Sequence, residues 1–121
     1  MAKVADRNFA FELISVLQND EPLYRQSEYI AENMRRKIQR GSYDFVKSVK
    51  GFQYVVDAAN KQYKRDYNES ANVPTRKYAA AIMALEFAHE EPHLQSHAAT
   101  LQYQFDRYVA ALGVLSAELY S

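Results

Sequence analysis

Cysteine and tryptophan are absent from the 121 residues, and glycine and proline number only three each. Without cysteine there is no disulfide framework and no thiolate metal site. So few glycines and prolines leave little material for turns, which favours long helices. No apolar run approaches the roughly 20 residues of a membrane span. The N-terminal Met1-Ala2-Lys3-Val4-Ala5-Asp6 lacks the apolar core of a secretory signal. A single cytoplasmic domain, 1–121, without membrane association is the expectation.

What is present is unevenly placed. The formal net charge is zero, yet residues 24–77 hold twelve Lys/Arg against six Asp/Glu. Residues 78–121 hold one Arg against five acids. A basic middle beside an acidic end suggests a charged docking surface or self-complementary assembly. The chain is also tyrosine-rich, with ten residues. Tyrosine suits interfaces, and equally suits the core–water boundary of a helix.

The apolar pattern predicts an all-α bundle of four main helices plus a minor turn. The predicted segments are about 7–18, 28–40, 43–67, 75–90 and 93–120. Asp6 caps the first, with Phe9, Leu13, Val16 and Leu17 inward and Phe11 and Ile14 widening the stripe. Asn19-Asp20-Glu21-Pro22 stops it, and Asp20 caps a short turn through Tyr24. Ser27 is the expected N-cap of the second, which carries Ile30, Met34 and Ile38 and ends at Gly41. Ser42 or Asp44 starts the third, where Phe45, Val49, Phe52, Val56, Ala59 and Tyr63 alternate by four and three. Pro74 suits the start of the fourth, with Tyr78, Ile82, Leu85 and His89 inward and Ala79, Ala80, Ala81 and Ala84 allowing close packing.

Pro92 then bends or breaks the chain before the last segment. There Leu94, Ala98, Leu101, Phe105, Tyr108, Leu112, Leu115 and Leu119 keep a 3.5-residue period, which reads as one long helix organising the bundle. Its second half is apolar nearly all round. Val109, Ala110, Gly113, Val114 and Ala117 are therefore core or oligomer contacts, and a homo-oligomer is one expectation.

Residues 28–67 resemble small accessory proteins of tailed bacteriophages. The residues that carry the resemblance are Lys37-Ile38-Gln39-Arg40-Gly41-Ser42-Tyr43-Asp44, Val49-Lys50-Gly51-Phe52 and Tyr54-Val55-Val56-Asp57-Ala58-Ala59. It covers about a third of the chain and includes no catalytic motif. It implies a small viral protein, in the host cell cytoplasm, that binds and modulates a host protein.

Chemistry finds little footing. Glu86-Phe87-Ala88-His89 is one Glu-x-x-His step, but a di-iron bundle needs two, and His89, His93 and His97 are the only histidines. Pro92 also falls inside their spacing. No metal and no cofactor is expected. Glu86, Glu90 and Glu91 lack a paired nucleophile, and no glycine-rich phosphate loop occurs, so an enzyme is not expected.

The remaining candidate is the outward face of the 43–67 helix together with the cations before it. Lys47, Lys50, Gly51, Tyr54, Asp57, Ala58, Lys61, Lys64 and Arg65 lie opposite the apolar seam. The expected partner-binding residues are Arg36, Arg40, Lys47, Lys50, Tyr54, Lys61, Lys64 and Arg65. A non-enzymatic protein docking on a partner with an acidic surface is the leading reading. A nucleic-acid-binding module using the same face is the alternative, and a structural subunit of a larger assembly the second alternative. A merely solvated lysine face would look the same in sequence.

Overall fold

The computed structural model describes residues 5–41 and 43–113. These are all-helical, with no strand among the described residues. The elements are α1 (Arg7–Asn19), α2 (Glu21–Gln39), α3 (Phe45–Tyr67), α4 (Val73–Glu90), a 3₁₀ turn (Pro92–His97) and α5 (Ala98–Ala111). No described helix is long and apolar enough to cross a membrane.

Short polar side chains start four of the five α-helices. Asp6 accepts from the Phe9 N–H at 3.0 Å, Asp20 from Leu23 at 3.0 Å, Asp44 from Lys47 at 3.1 Å and Asn72 from Thr75 at 2.8 Å. Each satisfies one of the amide donors a helix start leaves open. Gly41 after α2 has φ +79° and Asn68 after α3 has φ +55°. Both left-handed residues close the preceding helix with backbone bonds.

Several expectations are corrected here. Ser27 is not an N-cap, because α2 already begins at Glu21. Asp20 caps it, and Pro22 sits in a first turn that needs no N–H from it. The Asn19–Pro22 stretch is thus a one-residue joint between two helices, and Ser27 Oγ instead donates back to the Tyr24 carbonyl at 2.6 Å.

The last segment is not one long helix. Glu91 is extended, Pro92 opens a 3₁₀ turn, and α5 ends at Ala111 with Gly113 turned to φ +83°. Of the seam, Leu94, Leu101 and Phe105 are buried, Tyr108 and Leu112 half-buried and Ala98 exposed; of the residues expected as core or oligomer contacts, Val109 is buried while Ala110 and Gly113 are exposed. Val114, Leu115, Ala117 and Leu119 lie outside the described residues.

The central element is α4 rather than the last helix. Ten of its residues are buried, among them Tyr78, Ala79, Ala80, Ala81, Ala84 and Ala88. Methyl side chains on every side let α1, α3 and α5 all approach it closely, and α4 packs against each of them. His89, expected inward, is exposed at its end.

The α3 seam is placed as expected, with Phe45, Val49, Phe52, Val56 and Ala59 buried and Tyr63 half-buried. Phe45 meets Phe105 and Tyr108 of α5 edge-on, and Phe52 meets Phe87 of α4. α1 buries Ala10, Leu13, Ile14 and Leu17, but Phe11 is exposed with the Arg7 guanidinium over its ring. α2 lies on the flank of α3, bringing Met34 and Ile30 down onto Gly51.

Candidate interaction surface

All eight residues expected to bind a partner are exposed. Tyr54 is 67 % exposed, the highest value among the large apolar and aromatic side chains of the described residues. None of Arg36, Arg40, Lys47, Lys50, Lys61, Lys64 and Arg65 forms an ion pair among the described residues; the ion pairs there involve Arg25, Arg35 and Arg76. Seven cations therefore face solvent without internal compensation.

The face is not continuous. Gly51 and Ala58, expected outward, are half-covered because α2 crosses α3 there. Two sites result. At the start of α3, Arg40 and Lys47 join Lys37 around a recess of about 240 Å³ with Met34, Tyr43 and Asp44. Further along, Tyr54 and Lys61 line a groove of about 360 Å³ between α2 and α3. Leu23 and Gln26 of α2 form its other wall, and Val55, Asp57 and Ala58 its base. Arg36, Lys50, Lys64 and Arg65 line neither. Lys64 and Arg65 instead occupy the last turn of α3, where cations also complement the helix dipole.

Sequence reasoning missed Leu23, Gln26 and Lys37 as site residues. Leu23 and Gln26 were hidden by the misplaced start of α2. Lys37 was visible, but its charge was already accounted for by the helix terminus.

Asp57, the acid on this face, is held by Arg76 of α4 at 3.0 Å. Tyr43 is walled in beside the first recess; burial pushes its phenol up, the Ser48 hydroxyl opposes this, and Asp44 adds to it. Its ring, not a charge, is what this recess meets.

Catalytic groups do not converge. Partial desolvation and then Glu90 raise the Glu86 carboxyl, with His89 opposing, but no cavity joins it to a nucleophile among the described residues. The change of direction at Glu91 takes His93 and His97 off the α4 axis, and no three His, Cys, Asp or Glu among the described residues are grouped to hold a metal. No family model matches the chain, and comparison with curated proteins and with solved structures finds no match either.

Proposed function

We propose that this chain is a small non-enzymatic interaction protein that docks on an acidic protein surface through α3 and the end of α2. The observation that carries the reading is the α2/α3 groove. Tyr54 stands exposed beside Lys61, in a groove where Leu23, Val55 and Ala58 offer apolar surface to a partner side chain. A large amphipathic ring next to a desolvatable groove is the usual anchor of a protein interface. The unpaired cations around it add steering and orientation rather than bulk affinity. The resemblance to accessory proteins of tailed bacteriophages supports a setting in which the partner is a host or viral macromolecule whose activity is modulated.

The nucleic-acid alternative draws on the same cations. The apolar groove and the acid Asp57 at its base favour protein, since phosphate contacts use neither. Zero net charge also weakens long-range attraction to a polyanion. Affinity capture with the tagged full chain, with and without nuclease, tests the reading. Capture of a partner that survives nuclease and is lost with Tyr54→Ala supports it. Capture abolished by nuclease, or unchanged when Lys47, Lys50, Lys61 and Lys64 are all replaced by Glu, overturns it.

A further inference from the structure

A cavity of about 460 Å³ opens where the end of α2 meets the 3₁₀ turn and the first half of α5. Its floor is apolar, made by the buried Ile38, Leu94 and Leu101. Its rim is polar, with the imidazoles of His93 and His97 and the Gln104 amide. No described carboxylate lines it. Tyr43, its hydroxyl buried, lines one side. The same residue borders the neighbouring recess, where Lys37, Arg40 and Lys47 outnumber the single acid Asp44.

A concave apolar floor with a few polar groups at the mouth is the ordinary build of a small-molecule site, and this volume falls in the usual range. The floor withdraws an apolar body from water. The rim offers hydrogen-bond donors, no described carboxylate opposes an anion there, and the cations Lys37, Arg40 and Lys47 stand across the Tyr43 ring in the neighbouring recess. We propose that this cavity binds a small organic anion with an apolar body, such as an aromatic carboxylate. It is distinct from the docking groove, since neither Tyr54 nor Lys61 lines it.

The test is a ¹H–¹⁵N titration of the full chain with sodium benzoate, alongside benzyl alcohol and sodium acetate at matched ionic strength. Saturable shifts at the Leu94, Leu101 and Gln104 amides are expected with benzoate. Benzyl alcohol lacks the charge and acetate lacks the ring, so each should bind about tenfold more weakly or worse. A His93→Ala, His97→Ala double variant removes two exposed rim side chains and should weaken benzoate several-fold while leaving the spectrum otherwise native. Thr100→Trp, on the exposed rim, should block binding and serves as the second variant. Absence of saturable shifts at these amides, equal affinity for benzyl alcohol, or unchanged benzoate affinity in both variants would overturn the proposal.

Discussion

The Nε–H of Arg76, in the first turn of α4, donates to Asp57 Oδ1 at 3.0 Å. The same guanidinium donates to the Ala71 carbonyl, so it joins the α3–α4 loop to the middle of α3. The pair also partly neutralises the acid of the α3 face. Asp57→Asn should therefore do two separable things. Because the Asp57 side chain is 43 % exposed, stability should fall by no more than about 1 kcal/mol in a urea titration. Docking on an acidic partner should strengthen, most visibly at low salt, because a like charge leaves the interface. Weaker docking at unchanged stability would contradict the proposed partner chemistry.

Asn60 is the clamp of the same loop. Its Oδ1 accepts from the buried Ala71 N–H at 2.8 Å, and its Nδ2 donates to Ser70 Oγ at 3.1 Å. Asn60→Ala strands a buried amide, so a loss of about 1–3 kcal/mol is expected from equilibrium unfolding. Ser70→Ala removes only the partly buried contact and should cost clearly less.

Tyr63 of α3 donates its hydroxyl to Glu12 of α1 at 2.7 Å. Donation to the carboxylate favours the neutral phenol, and this is the main reason its pKa is pushed up to about 12. The sign follows from linkage. The folded value lies above the ordinary value near 10, so the contribution is complete below about pH 10 and is lost as pH rises through the folded value. Tyr63→Phe should be less stable than the parent at pH 8, with the gap closing toward pH 12. An ultraviolet tyrosinate titration should show one late-titrating phenol missing from the variant.

Gly51 lies under α2 with no room to spare. A Cβ there would stand 3.0 Å from the Met34 terminal methyl and 3.3 Å from Ile30 Cγ2. Gly51→Ala should be near neutral, because the Met34 end can move and alanine gains about 1 kcal/mol of helix propensity. Gly51→Leu cannot be absorbed that way and should cost about 1–3 kcal/mol. Combining it with Met34→Ala should recover part of that loss.

How much of this was legible follows from which side chains carry a periodic signal. The α3 seam was readable because Phe, Val and Tyr at alternating steps of four and three admit one inward face. Asp6 and Gly41 were readable because caps and left-handed ends demand particular residues. The centrality of α4 was not, since alanine is as common on a surface as in a core and leaves a weak pattern. The start of α2 was lost because proline both ends helices and begins them, and only the Asp20 cap decides between the two. The groove depends on Leu23 of α2 and Tyr54 of α3 lining one recess, a juxtaposition no local pattern announces.

The remaining prediction separates protein docking from nucleic-acid binding by how the energy is distributed. If α3 binds phosphate, Lys47→Ala, Lys50→Ala, Lys61→Ala and Lys64→Ala should each weaken binding by similar small steps, and each should flatten the salt dependence. If it docks on protein, the loss should concentrate in the groove. Tyr54→Ala should then cost about 2 kcal/mol, more than any single lysine change, because only Tyr54 combines a large ring with a groove that excludes water. Arg65, also among the expected partner-binding residues, lines neither recess. Arg65→Ala should therefore lower the association rate at low salt more than it raises dissociation, whereas Tyr54→Ala should act on dissociation. Surface-plasmon kinetics on the captured partner read both rates at once. Equal, purely electrostatic effects from the four lysines and Arg65, no larger loss from Tyr54→Ala, and salt-sensitive binding to random duplex would move the face from protein docking to nucleic acid.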